Sequence, residues 1–370
     1  MVDTLRWLDR RRFVQAAAAA PFVAAIGTAA CSAAPGVSKR RLPFGAAVRA
    51  EQVYGNAAFA AAVDQHCQII VPEIELNWDK VSPSEGDLNL YQADQLADFA
   101  TRHGKKMTGH VLVWHLSIPN WAKPGLGQTG GWELVRRYFA SVIPRYGTVT
   151  DHWDVVNEPL LMGHRQDGLR PSPYLDAFGP SYIARAFHDA HVFAPHAKLS
   201  LNEFGTTYDF KEEHDKRYFM LKMLENLKKT GVPIHGVGLQ SHLELAKQAS
   251  FNPTVLAEFV KEIADMGYEI RITELDVRES DYTAPADVRD MRVADAVRRY
   301  LDVVTASPAL TEISCWGLSD AFSWLGVLPE DIDGKQWPAG QGPGLNRGLP
   351  FNSDMQPKPM WNALDAALNV

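Results

Sequence analysis

Two glutamates stand where short apolar runs end, and as a pair they could do chemistry that neither could do alone. The first closes Trp153-Asp154-Val155-Val156-Asn157-Glu158-Pro159. This reads as a strand delivering an Asn–Glu pair, and Pro159 stops further sheet pairing because it has no N–H to give. The second lies in Ile270-Arg271-Ile272-Thr273-Glu274-Leu275-Asp276. Two facing carboxyl groups can divide the cleavage of a glycosidic bond. One, protonated, gives its proton to the leaving oxygen, while the other, ionised, attacks the anomeric carbon or activates water. Retention of configuration needs about 5–5.5 Å between them and inversion about 6.5–9.5 Å. An ionised Glu274 favours a proton on Glu158, which makes Glu158 the acid. His242 is placed to hold Glu274, with Asp276 orienting His242.

Other polar residues fall at predicted strand ends: Glu73, His110, Trp114 with His115, Asn202 with Glu203, Gln240, His242, Trp316 and, shortly beyond, Trp324. Unpaired buried carboxylates are costly, so this many convergent polar ends point to a site rather than to packing. Tryptophan offers a flat apolar face with one polar atom, which suits a sugar ring; any single Trp is more simply core. A metal centre is the competing use of His and Glu. His110 and His115 are five apart in an extended run and so face opposite ways, and no zinc-type spacing is present. Asp209 to His214 reads as a solvated helix start. Neither a metal nor a cofactor is expected.

The elements that must position these residues alternate. Strands are predicted at 44–48, 68–72, 106–114, 151–156, 198–201, 234–239, 268–273 and 312–318. Helical periodicity follows at 51–63, 90–102, 131–146, 182–193, 218–229, 253–266, 288–304 and 360–368. Eight strands, each followed by helix, predict an α/β fold, a (β/α)8 TIM barrel in a single domain over residues 39–370. A doubly wound sheet would want a Gly-rich phosphate loop after an early strand, and none is found. In the barrel the fourth and seventh strands lie almost opposite, so Glu158 and Glu274 project across one mouth. The Gly- and Pro-rich stretch from Gly326 to Pro350 reads as a long loop over that mouth.

The 370 residues carry a formal net charge of −7. That balance argues against nucleic acid or an anionic membrane as partner; a polysaccharide or oligosaccharide fits, acted on by a monomer. Residues 1–38 read as a twin-arginine signal peptide and linker: Arg10-Arg11-Arg12-Phe13 precedes an Ala-rich apolar segment. Export to the periplasm or beyond follows. Thr28-Ala29-Ala30-Cys31 resembles a weak lipobox, so the mature chain is either cleaved and soluble or tethered by a lipid anchor at Cys31. Cys67 and Cys315 read as buried free thiols.

Gly109-His110-Val-Leu-Val-Trp114-His115 with Pro119 and Trp121, then Trp153 to Pro159, Gly238-Leu-Gln240-Ser-His242, Ile272-Thr-Glu274-Leu-Asp276, Trp316-Gly-Leu-Ser-Asp320 with Ser323-Trp324, and Gln356-Pro-Lys358-Pro occur in order. Together they resemble glycoside hydrolase family 10, the retaining endo-β-1,4-xylanases. The resemblance implies Glu158 as acid/base, Glu274 as nucleophile, and Asn157 on the 2-hydroxyl of the sugar at the cleavage point. It implies Glu73, His110, Trp114, Gln240, His242, Trp316 and Trp324 along the sugar subsites. Departures cluster. Ile74 and Asn77 stand where the family has an Asn and a Lys that grip the second sugar. Ser117 stands for a Gln, and Asn202-Glu203-Phe204 for Asn-Asp-Tyr. The expectation is retained β-1,4-xylosidic hydrolysis with an altered distal subsite. A different glycan, short oligosaccharides, or a non-catalytic glycan-binding barrel are the alternatives.

Overall fold

A computed structural model describes residues 41–326 and 346–369. The predicted leader with Cys31, and most of the predicted Gly326–Pro350 loop, lie outside the described residues. Nine strands are present there: β1 (Phe44–Val48), β2 (Ile69–Pro72), β3 (Lys106–Trp114), β4 (His152–Asn157), β5 (Lys198–Glu203), β6 (Gly236–Leu239), β7 (His242–Glu244), β8 (Glu269–Arg278) and β9 (Leu310–Cys315). The helices are α1 (Ala50–Gly55), α2 (Ala57–His66), α3 (Trp78–Val81), α4 (Tyr91–Arg102), α5 (Lys123–Leu126), α6 (Trp132–Tyr146), α7 (Pro173–Phe178), α8 (Tyr182–Phe193), α9 (Lys211–Lys229), α10 (Pro253–Asp265), α11 (Ala286–Val304) and α12 (Pro359–Ala367).

All strand pairings are parallel. The order β6-β5-β4-β3-β2-β1-β9-β8 closes on itself through β6–β8, so eight strands make the predicted barrel. The ninth, β7, is a short extension paired only with the far end of β8, where His242 lies opposite Asp276. That pairing carries β8 five residues beyond its predicted end at Thr273. Glu274 and Asp276 therefore sit inside a paired strand rather than at a loose terminus.

Where helix boundaries differ from the periodicity, local hydrogen bonding explains it. The predicted helix 51–63 breaks at Asn56. Its backbone N–H closes α1 on Gln52, and its side chain caps α2 by accepting from Phe59 N at 3.0 Å. Helix α9 begins well before its predicted start at 218. The stretch 209–214 is not merely solvated: Glu213 is buried and accepts from Tyr208 N at 2.6 Å.

The core fills the barrel and the space under the helices. Trp78, Trp132 and Trp153 are fully buried in it, which is the plain packing role. Trp153 needs a bare backbone opposite: a Cβ on Gly109, its register partner on β3, would come within 2.1 Å of the indole. Cys67 and Cys315 are buried free thiols, and burial pushes Cys67 up to about 12.

Candidate active site

Glu158 follows the last residue of β4 in a left-handed conformation, φ 54°. For a residue with a Cβ this costs on the order of 1–3 kcal/mol and persists only where the surroundings hold it. They do. Its N–H donates to the Asn202 carbonyl at 2.9 Å, and its own carbonyl accepts from Arg170 Nε at 2.7 Å. The turn aims the half-buried carboxyl group across the mouth.

Glu274 faces it from β8. An irregularity in the β8–β9 register between Ile272 and Leu275 lets the adjacent Thr273 and Glu274 both reach Asn202 of β5. Thr273 donates to Asn202 Oδ1 at 2.7 Å, which fixes the amide's orientation. Asn202 Nδ2 then donates to Glu274 Oε1 at 2.6 Å and to Asn157 Oδ1 at 2.9 Å. Asn157 Oδ1 also accepts from Gln240 Nε2 at 3.1 Å. Asn157 Nδ2 and Gln240 Nε2 lie 3.3 and 3.4 Å from Glu158 Oε1. A continuous chain of amides thus joins the two carboxyl groups across β4, β5, β6 and β8. It requires Gly238 on β6, where a Cβ would lie 2.1 Å from Asn202 Oδ1.

The second oxygen of Glu274 meets His242 Nε2 at 3.1 Å, and His242 Nδ1 meets Asp276 Oδ1 at 2.9 Å. The other Asp276 oxygen accepts from Trp324 Nε1 at 2.6 Å, so Asp276 also fixes a tryptophan. Burial alone would lower the His242 imidazole, but the carboxylates of Asp276 and Glu274 outweigh it and push it up to about 10. It is an imidazolium at neutral pH, donating from both nitrogens.

His110 is buried on β3 and bonds Asp154 Oδ2 through Nδ1 at 3.0 Å. Burial would lower this imidazole too; the Asp154 bond and the charge of Glu274 raise it instead. Beneath it, Arg271 donates to Asp154 Oδ1 at 3.0 Å, to Glu312 Oε1 at 2.7 Å and to Thr108 Oγ1 at 3.1 Å. Trp316 stands edge-on to His110, centroids 5.1 Å apart. Trp324 stands edge-on to His242 at 5.4 Å. With Trp114 these rings are half-exposed at the mouth, unlike the three core tryptophans.

The structure brings every predicted site residue except Glu73 and Trp114 into contact with another at this end of the barrel; the ring that Trp114 meets is that of its chain neighbour His115. Glu73 is occupied in a way the sequence reading missed: Arg49, just past β1, donates to Glu73 Oε1 at 2.6 Å. Of the three departing positions beside it, Ile74 is half-buried. Asn77 is buried, and Ser117 is buried with its hydroxyl on the Trp114 carbonyl. Asn202 was visible as a strand end, but nothing local marks its amide as the bridge. Arg170 and Thr273 also went unmarked, because their partners lie on other elements.

A cleft of about 260 Å³ beside His242 is lined by Phe204, Tyr208, Phe210, Lys216 and Lys247. Larger cavities, near 700 Å³, lie over α11 and hold none of these groups. Convergent titratable groups, not cavity size, mark the site. Among the described residues no group of three or more His, Cys, Asp or Glu is arranged to hold a metal ion.

A closed parallel barrel with two carboxyl groups joined across its mouth is the arrangement of a barrel glycosidase. The sequence model of glycosyl hydrolase family 10 matches residues 35–367, and the chain belongs to that family. It is a glycosidase of the xylanase type. It is 30% identical over 304 residues to a beta-1,4-xylanase of Dictyoglomus thermophilum, covering 79% of this chain and 82% of that one. It is 32% identical over 309 residues to endo-1,4-beta-xylanase A of Fusarium oxysporum, covering 81% and 87%. The crystal structure of an intracellular xylanase from Thermoanaerobacterium saccharolyticum superposes with a TM-score of 0.72 at 27% identity, covering 88% and 95%.

Proposed function

We propose that this enzyme cleaves β-1,4-xylosidic bonds in xylan or xylan-derived chains with retention of configuration. Glu158 acts as acid/base and Glu274 as nucleophile. The observation that carries this reading is the asymmetric support of the two carboxyl groups. Both oxygens of Glu274 are bonded, one by Asn202 and one by the His242 imidazolium, which suits a group that works ionised. Glu158 meets only two amides at long range on one oxygen, and on the other an Arg170 nitrogen at 3.8 Å, outside hydrogen-bond reach, which suits one that gains and gives a proton.

In the first step Glu274 attacks the anomeric carbon while Glu158 protonates the leaving oxygen; in the second, Glu158 takes a proton from the water that displaces Glu274. Asn157 meets the sugar beside the reacting carbon, and Trp316 and Trp324 with His110, Gln240 and Trp114 line the floor. The distal subsite is altered at Ile74, Asn77 and Ser117, and the pairing of Glu73 with Arg49 adds to the change. Residues 1–38 export the chain as a twin-arginine signal, and it works as a monomer, soluble or tethered at Cys31.

Hydrolysis of linear xylan, substituted xylan and xylo-oligosaccharides tests this, with Glu274→Ala and Glu158→Gln as controls. Glu158→Gln lowers turnover of xylan by about 10²–10⁴-fold, and Glu274→Ala abolishes it. Unchanged hydrolysis by either variant would sink the assignment. Cleavage of plain linear xylan in clear preference to every other substrate would remove the altered subsite but not the chemistry.

A further inference from the structure

Arg170 stands behind Glu158, and the mechanism above gives it no part. Its backbone N–H donates to the Pro159 carbonyl at 2.7 Å, and its Nε to the Glu158 carbonyl at 2.7 Å. Those two bonds clamp the chain at and just after the left-handed residue. A third is incomplete. Nη2 lies 3.8 Å from Glu158 Oε2, beyond hydrogen-bond reach. The same nitrogen is buried without a hydrogen-bond partner among the described residues. A buried guanidinium N–H without an acceptor is unfavourable. The Phe204 ring lies over the guanidinium at 5.7 Å.

We propose that Arg170 is a positioning residue whose free Nη2 is held for the charged form of Glu158; this rests on the reading of Glu158 as acid/base. While Glu158 carries its proton, the neutral carboxyl group asks little of a cation. In the first step the proton passes to the glycosidic oxygen as its bond to the anomeric carbon breaks, and Glu274 forms the new bond to that carbon. Glu158 is now a carboxylate, and Nη2 closes on Oε2 as a charge-assisted bond. In the second step the attacking water gives its proton to Glu158, its oxygen bonds to the anomeric carbon, the Glu274 bond breaks, and the arginine lets go. The cation is fixed where charge develops and needs no reorganisation of solvent.

The test compares kcat/KM on xylotetraose, whose leaving sugar needs a proton, with 2,4-dinitrophenyl β-xylobioside, whose phenolate leaves without one. Arg170→Met lowers the first by about 100-fold and the second by no more than about threefold. Arg170→Lys, which restores the charge, recovers most of the xylotetraose loss. Equal losses on both substrates, or no recovery with Lys, would overturn the proposal. Should the Met variant lack a cooperative melting transition, Arg170→Gln carries the same comparison. Glu158→Gln run in parallel separates the two ideas. An equal loss there removes the acid/base reading, whereas a selective loss at Glu158 with an equal loss at Arg170 removes only the role of the arginine.

Discussion

His242 shows how the site's charges are set residue by residue. Two carboxylates hold its imidazole up to about 10, against about 6.5 for an unperturbed histidine. A group whose folded value lies above its unfolded one stabilises the fold fully below the unfolded value, and loses that contribution as pH rises through the folded one. His242 therefore stays charged from pH 5 to 8 and places no limb on the activity profile there. Its stabilising effect declines from about pH 6.5 to about pH 10. The thermal midpoint of the wild type should fall across that window more steeply than that of His242→Asn, which has no group to titrate. Parallel curves for the two would show that the imidazolium does not support the fold.

At the scale of elements, the site depends on irregular places in regular strands. β8 has a register shift around Glu274, β4 is followed by a left-handed Glu158, and β6 has Gly238 where Asn202 must pass. Gly238→Ala puts a methyl 2.1 Å from Asn202 Oδ1 and 2.9 Å from Thr273 Cγ2. Overpacking of this kind costs about 1–3 kcal/mol. The displaced amide also leaves Glu274 and Asn157 without their shared donor. A fall in kcat of at least about 10-fold is expected, beyond what the loss of folded protein explains, read by activity against circular dichroism at a temperature where the variant is folded. Strand positions were readable to within a few residues because apolar runs bounded by Gly and Pro mark them. The β7–β8 pairing was not readable: three residues paired to the tip of a distant strand leave no periodic trace.

At the scale of the whole molecule, the barrel closes over a buried charged group. Arg271 joins Asp154 of β4, Glu312 of β9 and Thr108 of β3, and Asp154 passes the link up to His110 at the mouth. Arg271→Met leaves Glu312 and part of Asp154 uncompensated, and about 3–5 kcal/mol of stability should be lost in denaturant unfolding. Arg271→Met with Glu312→Leu should cost less than the sum of the single changes, since the second removes a charge that the first orphans. An additive double variant would show that the two side chains are not coupled.

The sequence by itself determined the barrel and its alternation of eight strands with helices, and it singled out two glutamates as candidates. Each of those depends on local matters: apolar period, proline, caps, and residue type at a strand end. It also separated a site from a packed core, because so many polar groups at strand ends had to be reconciled with burial. Only the tertiary structure decided how the polar groups are shared. Asn202 ties Glu274 to Asn157, Asp276 holds a histidine and a tryptophan, Arg49 occupies Glu73, and Arg170 stands beside Glu158. Those partners lie between 12 and 72 residues apart. A hydrogen bond is fixed by ångströms and angles, and at that separation it is the closure of the barrel that sets them.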